Sequence, residues 1–172
     1  MASAAGKRSR TFIAVFVAAA LAQFGLLLAP PVRPFIDGMS GSLASISASL
    51  IRAFGGACTQ VGAVLTAPGA HHFSMEVRDG CNGVNVVILL WSAMLAWPVR
   101  WQWKLAGLGA GFVLIQLLNL LRLISLFYLG QYSPPVFQFA HLYLWELLII
   151  IDAMVIFGLW IRRAARNGWE VA

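Results

Sequence analysis

The sequence predicts an all-α membrane protein with about four transmembrane helices and both termini cytoplasmic, plus an extracytoplasmic amphipathic helix and a small β-hairpin between spans one and two. Three observations predict it. Charged residues fill only 10% of the 172 positions and hydrophobic ones 60%, where a soluble domain carries about 25% charged residues. The apolar residues gather into four runs, and the basic residues lie at the ends of those runs. That placement decides the meaning of the +6 net charge. In a soluble chain such a balance would suggest nucleic acid; here it sets orientation in a bilayer, and no nucleic-acid partner is expected.

The first span falls within residues 11–29, after Lys7, Arg8 and Arg10. Phe12 to Ala29 covers ~27 Å at ~1.5 Å per residue, close to the hydrocarbon thickness. The run is long for a signal peptide, and Pro30 follows Ala29 with no small-x-small cleavage site, so it reads as a retained helix. Residues 30–80 form the one sizeable outer segment. Ile36, Met39, Leu43, Ile46, Leu50 and Phe54 recur at helical spacing and predict an amphipathic helix, ended by Gly55 and Gly56. Val61 to Thr66 and His72 to Arg78 then flank the turn signal Ala67-Pro68-Gly69. In the second stretch Phe73, Met75 and Val77 alternate with Ser74, Glu76 and Arg78, a half-buried strand pattern. The remaining spans are residues 81–97, 105–129 and 137–161. With the N-terminus cytoplasmic, Lys7, Arg8, Arg10, Arg100, Lys104, Arg162, Arg163 and Arg166 all fall inside, while Arg33, Arg52 and Arg78 fall outside. The whole of 1–172 reads as one membrane domain.

Topology brings scattered chemistry to one face. Cys81 opens the second span from outside, Arg122 lies toward the outer end of the third, and His141 opens the fourth. A thiol at a helix N-terminus is favoured as thiolate. An imidazole can take its proton and return one to a leaving amine. A guanidinium stays charged and can stabilise a thiolate or an oxyanion, and an arginine within a span is costly enough to suggest function. The bland alternatives are a small buried cysteine, an interfacial histidine, and an arginine paired structurally with Glu146 or Asp152 on the last span. His71 and His72 compete for the role of imidazole; as strand neighbours they point to opposite sides, so at most one can face the thiol. Cys58, His71, His72 and Cys81 have no regular zinc spacing, and no metal is expected. A Cys58–Cys81 disulfide stays open.

These residues carry a resemblance. Asp79-Gly80-Cys81-Asn82-Gly83, Asn119-Leu120-Leu121-Arg122 and Phe139-Ala140-His141, in that order on successive spans, resemble the exosortase and archaeosortase family of membrane cysteine transpeptidases. The resemblance covers roughly Ile51 to Ile161. Asn82 stands where many members have Ser or Ala. With four spans the chain looks like the compact kind, such as exosortase H. The resemblance implies Cys81 as nucleophile, Arg122 as transition-state stabiliser and His141 as acid–base partner. Asn119, in the motif with Arg122, and Glu146 and Asp152, as partners for Arg122, are supporting candidates, and no cofactor is required. It implies substrates that are exported proteins with a C-terminal sorting tail: a motif, a transmembrane stretch and a basic cluster. An envelope glycan or lipid would be the acceptor. The location implied is a bacterial cytoplasmic (inner) membrane, with the active site facing outward among membrane lipid. Two other classes remain: a thiol–disulfide oxidoreductase using Cys58 and Cys81, and a non-enzymatic assembly subunit.

Overall fold

The computed structural model describes residues 2–69 and 72–166. It is mostly helical, with one small sheet. Helix α1 (Ala2–Leu27) leads through a single 3-10 turn at Pro30–Val32 into α2 (Arg33–Ala53). Prolines open both the turn and α2, where their fixed φ suits a first turn and their missing N–H costs nothing. Three strands follow: β1 (Thr59–Val61), β2 (Val64–Ala67) and β3 (Phe73–Glu76). Helix α3 (Val84–Ala96) and the long α4 (Trp101–Tyr132) come next. The chain ends in α5 (Pro134–Phe139), a π-helical turn (Ala140–Leu144) and α6 (Trp145–Arg166).

Three helical stretches are long and apolar enough to cross a membrane: Gly6–Leu27, Trp101–Tyr132 and Pro134–Arg166. The segment expected to span as residues 81–97 is shorter as a helix. Residues 81–83 form a turn, and α3 itself has 13 residues. Gly83 explains the late start, because its φ of +77° lies in the left-handed region and breaks any helix begun at Cys81.

The predicted amphipathic helix is α2, but its buried face differs from the expected one. Ser40, Leu43, Ala44, Ser47, Ala48 and Ile51 pack inward, whereas Ile46 and Phe54 are exposed. Small side chains let α2 lie close against its neighbours, and that closeness outweighs the pull of the larger residues for the core. The helix stops at Gly55, as expected. The Gly56 N–H donates to the Ile51 carbonyl and the Gly55 N–H to the Arg52 carbonyl, the paired bonds of a Schellman ending with Gly55 at φ +82°.

The expected hairpin is present and gains a strand. β2 and β3 pair antiparallel, with Leu65 opposite Met75 and Ala67 opposite Phe73. The stretch Val61 to Thr66 is not one strand. It folds back at Gly62, whose φ is +59°, so that Val61 of β1 faces Val64 of β2. β3 alternates as the sequence predicts, with Met75 and Val77 buried and Ser74, Glu76 and Arg78 exposed.

Packing gives the helices two distinct ends. Phe12 of α1 meets Trp97 just after α3 (5.7 Å between rings), and Trp97 meets Phe157 of α6 (6.0 Å). The Trp160 indole N–H donates to the Trp103 carbonyl at 3.0 Å. The start of α1, the α3–α4 link and the end of α6 therefore share one end. At the other, one core cluster joins α2, the sheet, the far part of α4 through Leu123, Leu126 and Phe127, and Ala140. A second cluster, with Val87, Leu90, Met94, Ile115 and Ile156, ties α3, α4 and α6 together.

Candidate active site

Cys81 sits in the tight turn between β3 and α3, where its N–H donates to the Arg78 carbonyl at 2.9 Å. The expectation that it opens a helix does not hold, so it lacks the direct help of a helix N-terminus. Burial instead pushes the Cys81 thiol above its ordinary range; the Arg122 guanidinium pulls it down, and the Glu146 carboxylate adds a smaller upward push. A thiol pushed up in this way needs a base to activate it.

That base is at hand. The two ring nitrogens of His141 lie 3.8 Å (Nε2) and 4.0 Å (Nδ1) from the Cys81 sulfur, across 60 residues of sequence. The π-helical turn carrying His141 closes with the Trp145 N–H on the Ala140 carbonyl. Its wider circuit brings His141 and Glu146, five residues apart, toward one side of the helix, where an ordinary α-turn would splay them. The imidazole stacks on Phe137 (5.6 Å, 17°). Phe137 in turn meets the edge of Phe73 from β3 at 5.3 Å. Phe73 also lies against Gly130 of α4, where a Cβ would overlap its ring. The sheet, α4 and the imidazole thus form one aromatic stack.

Arg122 is 1% exposed and pairs through Nη2 with Glu146 Oε1 at 3.4 Å. Of the two carboxylates considered for it, Glu146 takes the role and Asp152 does not. The pairing leaves Nε of Arg122 without a hydrogen-bond partner among the described residues. Asn119, one turn earlier on α4, is fully buried with both side-chain polar atoms unpartnered there as well.

Residues to which the sequence reading gave no role hold the cysteine turn. Asn82 is buried; its Oδ1 accepts the Val84 N–H (3.1 Å), and its Nδ2 donates to Ser40 Oγ (3.3 Å) and Asp79 Oδ1 (3.4 Å). It caps α3 in place of the left-handed Gly83 and ties the turn to α2. Gln116 Nε2 donates to the Asn82 carbonyl at 3.2 Å. The signal for Gln116 was present: Gln116, Asn119 and Arg122 recur every three residues on an otherwise apolar helix.

Cys58 is buried in the core beside the sheet, Cys81 is half-buried, and both are free thiols. Burial pushes the Cys58 thiol upward against a weaker opposing effect of Arg52. His72 is exposed, just before β3; the imidazole at Cys81 is that of His141. His71 lies outside the described residues.

No curated protein and no solved structure matches the chain. Residues 4–160 match the family model of the transmembrane exosortases. With nearly its whole length matched, the chain belongs to the transmembrane exosortase family.

Proposed function

We propose that the chain is a thiol-dependent transpeptidase that cleaves the C-terminal sorting tail of exported proteins. The observation that carries the reading is the sulfur–imidazole approach of 3.8 Å between a loop and a helix 60 residues apart, with a buried arginine acting on the same thiol. His141 takes the Cys81 proton as the sulfur attacks the scissile carbonyl. The C–N bond then breaks, the leaving amine receives that proton, and a thioester to Cys81 remains. Arg122 offsets negative charge on the sulfur and on the tetrahedral intermediate. An acceptor nucleophile from the envelope, a glycan or lipid hydroxyl, or else water, resolves the thioester.

The proposal includes four spans, with α3 as the second, and both termini cytoplasmic. It puts the basic end of the bundle inside and Cys81 at the outer face of a bacterial inner membrane. Two lengths support that depth. From Arg100 to Arg122 and from His141 to Arg162 are each about 21 helical residues, ~31 Å, which matches the hydrocarbon core. A substrate spanning the same bilayer would offer its motif at this height and stop at its own basic cluster.

Cells carrying Cys81→Ala should accumulate tailed substrate at normal levels of the membrane protein, whereas Cys58→Ser should process normally. Mass spectrometry of exported proteins bearing such tails reads both. Tail removal by the Cys81 variant would end the mechanism. Inactivation by Cys58→Ser would favour a two-cysteine oxidoreductase, and indifference to Cys81, Arg122 and His141 alike would favour an assembly subunit.

A further inference from the structure

Asn119 is hard to explain as a structural residue. Its side chain is fully buried, yet neither Oδ1 nor Nδ2 has a hydrogen-bond partner among the described residues. In an apolar setting an unpaired amide is costly, and a leucine of similar shape would fill the same space at no such cost. The carboxamide is not remote from the chemistry. An ideal Cβ on Gly83 would lie 3.5 Å from Asn119 Cγ and 3.5 Å from Nδ2. The amide is therefore packed on the turn that carries Cys81, two residues from the nucleophile. Gly83 permits this approach twice over: it has no side chain to hold the helix off, and it adopts the positive φ that the turn needs.

The neighbouring polar groups on α4 have partners that Asn119 lacks. Gln116 uses its Nε2 to hold the Asn82 carbonyl. Arg122 is committed through Nη2 to Glu146. Between them Asn119 has two N–H donors unused, at the level of the cysteine turn.

We infer that Asn119 Nδ2 is an oxyanion donor: it binds the carbonyl oxygen of the substrate as Cys81 attacks. The inference rests on the acyl-transfer reading of the site. When the sulfur adds to the carbonyl carbon, the C=O electron pair moves onto oxygen, and a preorganised amide N–H beside the turn stabilises it. When the intermediate collapses, that pair returns, the leaving group departs and the acyl group stays on sulfur. A neutral donor suits the site because Arg122 is already partly neutralised by Glu146.

The test separates attack on a carbonyl from attack on carbon without an oxyanion. The full-length chain in lipid nanodiscs is treated with p-nitrophenyl acetate, which acetylates Cys81 through a tetrahedral intermediate. In parallel it is treated with iodoacetamide, which alkylates the same sulfur by direct displacement. Peptide mass spectrometry follows both adducts at Cys81. Asn119→Leu should slow acetylation about 100-fold, leave alkylation at the wild-type rate, and melt no earlier than wild type. Asn119→Ala, which opens space instead of filling it, should show the same split.

An equal fall in both reactions would mean that Asn119 only shapes the thiol's surroundings, and would overturn the inference. So would acetylation at the normal rate in either variant; a defect confined to the leucine variant would be steric blockage. A wild-type chain that is alkylated at Cys81 but never acetylated would sink the acyl-transfer reading itself, and this inference with it. Acetylation of wild type with no effect at Asn119 would leave that reading standing and remove the donor alone.

Discussion

At the residue scale, the buried guanidinium of Arg122 and the half-exposed carboxylate of Glu146 set the character of the sulfur. Burial raises the Cys81 thiol, Arg122 lowers it, and Glu146 raises it slightly. The midpoint for iodoacetamide alkylation of Cys81 should therefore lie above that of an ordinary cysteine, about 8.5. Arg122→Gln should move it further up, because the thiolate loses its cation. Glu146→Gln should move it down, because an anion is removed and Arg122 is freed from its partner. A midpoint below that of free cysteine in wild type would contradict the burial argument. The trio Cys81, Arg122 and His141 was legible in the sequence because each lies at a recognisable height on its apolar run. The upward push on the thiol was not: it depends on desolvation of the sulfur, which no local pattern encodes. Glu146 and Asp152 were both open as partners for Arg122 in the sequence, with Glu146 the nearer in depth, and the structure pairs Arg122 with Glu146.

At the scale of elements, the stack from Gly130 through Phe73 and Phe137 to His141 ties the sheet to the candidate site. Gly130→Ala puts a methyl group into the Phe73 ring. Overpacking of this kind costs about 1–3 kcal/mol, and here the ring transmits the shift to the imidazole. The variant should melt earlier in detergent and process tails more slowly, and Phe73→Leu in the same chain should restore part of both losses. A single Gly130→Ala variant with full activity and unchanged melting would show that the stack is passive. The alternation of β3 and the Gly55–Gly56 stop of α2 were readable because one strand face and one helix end each have a local signature. Two features were hidden. The buried stripe of α2 runs along its serines and alanines, since close approach was worth more than size. The fold-back at Gly62 looked like uninterrupted strand, because a glycine in a short apolar run signals a turn only once its φ is known.

For the molecule as a whole, the two-ended bundle makes orientation a single question. The start of α1, the α3–α4 link and the end of α6 meet through Phe12, Trp97, Phe157 and Trp160, and Lys7, Arg8, Arg10, Arg100, Lys104, Arg162, Arg163 and Arg166 flank them. Alkaline phosphatase fused at the C-terminus should be inactive, and fused within the Gly55–Gly56 loop it should be active; the reverse pattern would invert the topology. The charge asymmetry was plain in the sequence, whereas the length of the second apolar helix was not, since the turn at Gly83 removes residues that hydropathy alone would assign to it. That brevity has a consequence. On the four-span reading α3, at 13 residues, is ~20 Å long against a hydrocarbon layer of ~30 Å, so the turn at residues 81–83 and the link after Ala96 must complete the crossing. That reading would put the sulfur beneath the level of the lipid headgroups, where a bond in a membrane-anchored substrate would reach it only from the first few residues above the anchor. On the proposed cleavage the anchor would be left as a stub with almost no polar overhang, greasy enough to remain in the bilayer.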